Sequence, residues 1–310
     1  MLVSLLASSA SGCNWLARYS SGPAAEAGLS RDATRDAPVD APGDARADAR
    51  DAADLALDMQ GSADGASDSV CGLGSEGVFA HYRFDDPTDG GLLNSTPQMI
   101  NGGIIKPFDG GLVRTVDGRC GGALAFDPTD AGYAFGYLAP AAVWRLKRGS
   151  IDFWIRIPPA FADRELGILS RDEFGQVQGG HLTVRHYRPT DAGPRMTMRL
   201  QVGNTTQAHT SCGPSIADGA WHHVGINFGD SATELTIDGV LQPSNTQNCA
   251  GTLPAKILGI DDNNLPWVIG AHTVQLQDGG FMPRAPLHGV IDELRFSNVR
   301  RDFSGFAGGR

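Results

Sequence analysis

Residues 218–240 read DGAWHHVGINFGDSATELTIDGV. Within them His222, Val224, Ile226 and Phe228 fall on every second position, and Leu235 and Ile237 do the same after the polar Gly229-Asp230-Ser231. Period two sends alternate side chains to one face, so the stretch predicts an antiparallel hairpin with one buried face. Asp238-Gly239 adds a second turn signal that ends the second strand. In this register His222 belongs with the apolar set, as a histidine satisfied inside the core. Trp221 and His223 point the other way.

The same pattern extends over most of the chain. Val78, Ala80, Tyr82 and Phe84 alternate, as do Leu124 and Phe126, and then Ile151, Phe153, Ile155 and Ile157 ahead of Pro158-Pro159. Further strands are expected over residues 181–186, 196–202, 267–270 and 289–296. Gly, Pro, Asn and Asp punctuate these short runs, and no segment keeps a helical period. That argues for an all-β, two-sheet antiparallel sandwich with about six strands per sheet, and against a βαβ fold.

The first quarter of the chain is different. Residues 22–70 hold eleven acidic residues and four arginines, with much Ala and few aromatic or β-branched residues. Such a stretch cannot bury enough apolar surface to offset its chain entropy, so a disordered tether is expected over residues 14–70. Asp32, Asp36, Asp40, Asp44 and Asp48 recur every four residues. On a helix that spacing would stack like charges, and Pro38, Pro42 and Gly43 interrupt it further. As a flexible coil the tether would reach ~40 Å. The formal net charge of −10 sits mostly here, since residues 71–310 carry 20 basic against 24 acidic residues. No basic stripe interleaved with aromatics occurs, so nucleic acid is not an expected partner.

Residues 1–10 form a short, weakly apolar run, and Ala10-Ser11-Gly12-Cys13 resembles the lipobox of bacterial lipoproteins. The resemblance implies a signal peptide over residues 1–13 and diacylation of Cys13. The product would be an exported protein at the bacterial outer membrane or cell surface, held to the membrane through a lipid anchor only. The sequence departs from that pattern in having no basic residue before Cys13, and Ala10 where Leu is usual. No later run has the eighteen apolar residues of a membrane span.

With Cys13 set aside, Cys71, Cys120, Cys212 and Cys249 remain. An even number in an exported protein favours disulfides. Three pairings are possible. Cys71 with Cys120 and Cys212 with Cys249 are expected, because each pair flanks strands that should be neighbours. Chain entropy assigns about 4 kcal/mol to each loop. A zinc site is not expected, since no Cys-x-x-Cys occurs and no His lies at ligand spacing from a cysteine.

Several segments together resemble the laminin G-like group of the concanavalin A-like lectin and glucanase superfamily. They are the Trp221-His222-His223-Val224 strand with its Ile237-Asp238-Gly239 turn, VFAHYRFD at 78–85, GRCGGALAFD at 118–127, SIDFWIRI at 150–157 and GVIDELRF at 289–296. The resemblance covers about 230 residues in the expected order and implies a jelly roll over residues 71–303, with 304–310 as a C-terminal tail. It speaks to fold and leaves activity open.

Asp292 alternates with Val290, Leu294 and Phe296, which predicts a carboxylate pointing with the apolar set. Such a group needs a cation, an arginine such as Arg83 or Arg295, or several N–H donors. In related jelly rolls the Asp of this strand helps to bind a structural calcium, and the resemblance makes Asp85 and Asp127 its partners. Backbone carbonyls would have to complete the six to eight oxygens that calcium prefers.

Laminarinase-type members carry Glu-x-Asp-x-x-Glu on one strand face. None of Glu26, Glu76, Glu165, Glu173, Glu234 and Glu293 has an Asp two positions later, so that motif is missing. Asp163 with Glu165 and Glu234 with Asp238 read as solvated positions. His181 and His186 lie five apart, which on a strand puts them on opposite faces. Ser211 and Ser215 lack the context of a nucleophile elbow.

Loops are therefore the expected binding site. Asp261, Asp262, Asn263 and Asn264 cluster just before Trp267 and suit sugar hydroxyls, and residues 277–286 form a second Gly/Pro-rich loop with Phe281 and Arg284. The expected function is a non-catalytic, cell-surface recognition module for a glycan or protein ligand. The alternative is a diverged glycan hydrolase or lyase of the same superfamily.

Overall fold

The computed structural model describes residues 71, 74–85, 91–92, 103–108, 113–127, 132–172, 181–188, 193–201, 208–229, 233–245, 259–260, 265–275 and 281–306. All fall within the compact unit Ser62–Arg310. The expected signal peptide, Cys13 and the tether lie outside the described residues.

In chain order the strands begin with β1 (Val78–Tyr82), β2 (Gly91–Leu92), β3 (Gly103–Phe108), β4 (Val113–Asp117), β5 (Gly122–Phe126) and β6 (Tyr133–Leu138). The long β7 (Gly149–Arg156) precedes β8 (Leu166–Arg171), β9 (His181–Tyr187), β10 (Arg195–Gln201) and β11 (Ala208–Cys212). The opening hairpin is β12 (Trp221–Phe228) and β13 (Glu234–Ile237), followed by β14 (Val240–Leu241) and β15 (Ser244–Asn245). Last come β16 (Trp267–Ile269), β17 (His272–Gln275), β18 (Phe281–Arg284) and β19 (Gly289–Ser297).

One sheet has eight strands in the order β14-β13-β12-β7-β19-β5-β4, with β1 also on β19; the other has nine, ordered β15-β11-β10-β9-β8-β16-β6-β3-β2. Strands β17 and β18 form a separate hairpin. The sandwich is as expected, but each sheet is wider than about six strands. The additions are strands of two residues, or strands such as β3 that contain a proline. Pro107 pairs with Ala134 of β6 beyond the reach of β2, which pairs only with Gly103 and Ile104. A proline is tolerated where one side of the strand needs no donor.

The register explains why period two was informative. Val224 faces Ile237 and Ile226 faces Leu235 across the hairpin, while His222, Val224 and Ile226 meet Ile155, Phe153 and Ile151 of β7. All seven of those apolar side chains lie in the core between the sheets. His222 sits at the rim of this set, where Nδ1 meets Asp238 at 2.7 Å and Nε2 meets Asp218 at 2.9 Å. Burial alone would lower its pKa, but the two carboxylates outweigh burial and raise it.

Phe296 of β19 is the centre of the core. Its ring lies 5.0 Å from Trp144, 5.2 Å from Trp267 and 6.4 Å, edge-on, from Tyr82. It thereby joins β1, the loop before β7 and the opposite sheet in one aromatic cluster.

Of the expected C-terminal tail, residues 304–306 pack onto the sandwich and residues 307–310 lie outside the described residues. Asn227 exchanges two hydrogen bonds with the backbone of Arg301: Nδ2 donates to the carbonyl at 2.9 Å and Oδ1 accepts from the amide at 3.0 Å. Phe303 packs so closely over Gly225 that any Cβ there would collide with its ring. Phe306 is buried and stacks on His223, 3.6 Å between centroids at 7°. Beneath this strap Asp152 accepts from Nε of Arg295 at 2.9 Å, with both side chains buried. Replacing Phe306→Ala should therefore destabilise the domain by about 3 kcal/mol, measured by urea unfolding. A change below about 0.5 kcal/mol, the range of ordinary surface substitutions, would return residues 304–310 to the status of a tail.

Candidate functional site

Two polar clusters stand out, one on each sheet. The first surrounds the turn between β4 and β5. Strand β19 carries a bulge there: Asp292 pairs with Trp154 and Arg295 with Asp152, so two residues of β19 intervene where β7 has one. Glu293 occupies the bulge with φ 54°, an uncommon and costly conformation for a side chain of this kind. The bulge reverses the expected face of Asp292. Ile291, Leu294 and Phe296 point into the core, and Asp292 points outward with Trp154.

Asp292 is nevertheless fully buried. Its Oδ2 accepts from the backbone amides of Arg119 and Cys120, both at 2.8 Å. Neither arginine weighed as its partner reaches it. Arg295 serves Asp152, and Nε of Arg83 lies 3.1 Å from Asp85 and 3.5 Å from Glu293. Oδ1 of Asp292 is buried with no hydrogen-bond donor. Burial, with the Glu293 carboxylate as neighbour, raises its pKa to about 7 against the opposing pull of the backbone amides of Cys120, Arg119 and Glu293.

The three carboxylates expected to share a cation are only partly brought together. Asp85 accepts from the amide of Gly122 at 2.8 Å and so sits at the same turn as Asp292. Asp127 follows the other end of β5, roughly 16 Å along the strand, exposed and in electrostatic reach of His288. Glu293 joins the cluster instead, with Oε2 2.6 Å from Nε2 of His81. Among the described residues no group of three His, Cys, Asp or Glu side chains is arranged to hold a metal ion. The bare Oδ1 of Asp292 is still an atom of the kind a hard cation takes, so Asp292 and Asp85 are the residues that would hold calcium, with carbonyls completing its shell.

The second cluster lies on the outer face of the nine-stranded sheet. Leu182 and Val184 of β9 face the core, so His181, Thr183, Arg185 and Tyr187 face outward. Asp172, just after β8, is the common partner. Thr183 Oγ1 donates to its Oδ2 at 3.0 Å, and Nε2 of His272 lies 3.2 Å from the same oxygen. Nδ1 of His181 stands 3.2 Å from Oδ1, within ion-pair reach but off the line of a good hydrogen bond. Burial would raise the Asp172 carboxyl, yet His181 and His272 outweigh it and hold it well below the usual carboxylate range.

The β17–β18 hairpin delivers His272 to this place. The amide of Gly167 in β8 donates to Ala285 O at 2.6 Å, and Ser170 Oγ donates to Ala271 O at 3.3 Å. Both ends of the hairpin are thus tied down on β8. Phe281 and Arg284, expected on a loop, belong to β18. One residue before Asp172, Arg171 turns into the core. Its guanidinium donates to the carbonyls of Trp144, Ile260 and Leu265 at 2.6, 3.3 and 3.1 Å, and burial lowers its pKa to about 9. Ile260 and Leu265 bracket Asp261, Asp262, Asn263 and Asn264, which themselves lie outside the described residues.

Sequence reasoning missed Asp172, His272 and Glu293. The first two come from elements a hundred residues apart and share no spacing. A buried glutamate beside an aspartate in an otherwise apolar strand was the available sign of the third.

The histidines do not form a second centre. His186 faces inward, buried, and meets Oγ of the half-buried Ser215 at 3.0 Å. His223 packs among Trp154, Phe303 and Phe306. Cys71 and Cys120 form the expected disulfide, with Cα atoms 5.7 Å apart. Cys212 is also disulfide-bonded, and Cys249 lies outside the described residues.

Two antiparallel sheets packed face to face define an antiparallel β-sandwich. Residues 130–302 match a laminin G-type family model, and the chain belongs to the Concanavalin A-like lectin/glucanases superfamily. Domain 4 of AbnA, a GH43 extracellular arabinanase from Geobacillus stearothermophilus solved in complex with arabinotriose, is similar with TM-score 0.50 and 18% identity, over 74% of this chain and 96% of that one. The botulinum neurotoxin serotype D binding domain has TM-score 0.48 and 11% identity, over 74% of this chain and 49% of that one. The binding domain of Paraclostridial Mosquitocidal Protein 1 has TM-score 0.48 and 14% identity, over 74% and 51%. These likenesses are of fold alone. No curated protein sequence matches the chain.

The raised pKa of Asp292 has a sign that can be checked. A carboxyl whose folded pKa lies above its unfolded value of 3.8 adds stability at low pH. That contribution is lost as the pH rises toward about 7. The stability gained by Asp292→Asn relative to the native chain should therefore be larger at pH 8 than at pH 5 in denaturant titrations. A gap independent of pH would mean that Asp292 titrates normally.

Proposed function

We propose that this chain is an exported, non-catalytic recognition module that binds carbohydrate on the outer face of its nine-stranded sheet, at the foot of the β17–β18 hairpin. The observation that carries this is the Asp172 carboxylate shared by Thr183, His181 and His272. A carboxylate held ionised by fixed donors does not deliver a proton at neutral pH, so Asp172 is not a general acid. It orients its neighbours instead. His272 is the more exposed imidazole, at 19%. In the tautomer that donates Nε2–H to Asp172, its Nδ1 accepts from a ligand hydroxyl.

Arg185 and Tyr187 continue the same outward row, with the guanidinium 4.3 Å from the ring centre. They supply a half-exposed flat surface of the kind that sugar rings pack against. A glycan is favoured over a protein ligand because, among the described residues, the exposed large apolar side chains are Val240 and Leu241, on the edge of the other sheet, and such side chains are the usual anchors of a protein interface. The Cys71–Cys120 disulfide supports export.

A glycan-array profile followed by calorimetry tests this function. Asp172→Asn should weaken the best glycan about tenfold or more, the cost of losing charge-assisted hydrogen bonds, while its melting temperature shows whether the fold persists. Steady turnover of laminarin or alginate by the native chain would sink the non-catalytic reading in favour of a diverged hydrolase or lyase.

We further propose a structural calcium at Asp292 and Asp85, supported by the bare Oδ1 of Asp292. Calcium should raise the melting temperature of the native chain at pH 8 and leave Asp292→Asn unchanged. A native melt indifferent to chelator removes the ion.

A further inference from the structure

We infer that the ligand of this face is a carboxylate-bearing polysaccharide, and that Arg199 of β10 is the residue that distinguishes it from a neutral glycan. The inference rests on the carbohydrate reading above and adds the chemical class of the ligand. Register places Arg199 between Thr183 of β9 and Thr210 of β11, with Ser170 of β8 opposite Thr183. Those four residues form one row on the outer face that crosses four strands, roughly 14 Å. The Ser170 and Thr183 side chains are buried although they face outward, because the hairpin end at Ala271 and Asp172 cover them. Arg199 is the exposed member of the row.

Three guanidiniums line this part of the face. Arg185, Arg195 and Arg199 share the outer face, since Thr197 pairs with Arg185 and Arg195 with Tyr187. Arg185 is engaged by Glu165 at 2.6 Å, and Nε of Arg195 approaches Gly193 O at 3.4 Å. Among the described residues no carboxylate is paired with Arg199. Asp172, the nearest buried acid of the site, is balanced by His181 and His272. An exposed guanidinium left over in a domain with more acidic than basic residues runs against the overall sign of the chain. Its planar fork fits a carboxylate through two parallel hydrogen bonds. The Thr210 hydroxyl stands beside it, and His272 lies two strands away at Asp172; both suit sugar hydroxyls.

The test uses the full chain, titrated in a calorimeter with polygalacturonate and with the same polymer after its carboxyls are reduced to alcohols. Polygalacturonate should bind at least tenfold tighter than the reduced polymer. Arg199→Gln should erase that difference, Arg199→Lys should recover only part of it, and Lys147→Gln, exposed in the turn before β7, should leave it intact. If both polymers bind equally and Arg199→Gln changes nothing, the carboxylate assignment fails while the carbohydrate site stands. Equal affinity for dextran sulfate also overturns it, because charge alone would then explain binding. Absence of binding to these polymers and to every neutral glycan of an array overturns both.

Discussion

Strand β19 has to serve two layers at once, and the bulge at Glu293 is how it does so. A regular strand from Val290 to Phe296 would send residues 290, 292, 294 and 296 to one side. With one extra residue taken up at φ 54°, Ile291, Leu294 and Phe296 all reach the core, and Asp292 and Arg295 reach the outer layer. Phe296 then organises the aromatic centre of the sandwich, while Arg295 neutralises the buried Asp152. The strain of an αL glutamate is of order 1–3 kcal/mol. It is offset by the contacts that both faces gain and by the His81–Glu293 pair at 2.6 Å.

The two sheets treat their outer faces differently. On the eight-stranded sheet the polar groups under the C-terminal strap are sealed: Phe303 and Phe306 cover Trp154 and His223, and Asp152 and Arg295 lie buried beneath. Groups sealed in this way are structural, because no ligand reaches them. On the nine-stranded sheet the polar row is covered only in part, at Ser170 and Thr183, and opens at His272, Arg185 and Arg199. That asymmetry is the physical basis for the proposal that one sheet carries recognition. Membership of a superfamily that contains both lectins and glucanases does not choose between binding and chemistry.

The outer cluster and the loop before β16 are mechanically linked through successive residues of β8. Arg171 turns inward to hold the carbonyls that bracket residues 261–264, and Asp172 turns outward to hold His181 and His272. A buried guanidinium bound to carbonyls tolerates little movement, since any lost bond leaves a charge unpaired in the interior. The carboxylate on the opposite side is therefore delivered from a fixed backbone.

Local pattern was enough to determine the all-β class, the β12–β13 hairpin and the apolar face of β7, while the Cys71–Cys120 bond was one of three pairings that four cysteines allowed. The first three depend on alternation and turn chemistry within a strand or between strands adjacent in sequence. Asp292 shows where such reasoning ends, because one bulge residue reverses every later side chain, and period two contains no sign of it. The short strands β2, β14 and β15 carry no local pattern and exist only because a neighbour supplies their hydrogen bonds. Asp172, His181 and His272 could be joined only by tertiary structure, since a hairpin from residue 272 had to be laid across β8. Sequence determined which faces are apolar; the packing of distant elements decided which polar residues meet, because that proximity is a property of the assembled sheets and not of any one strand.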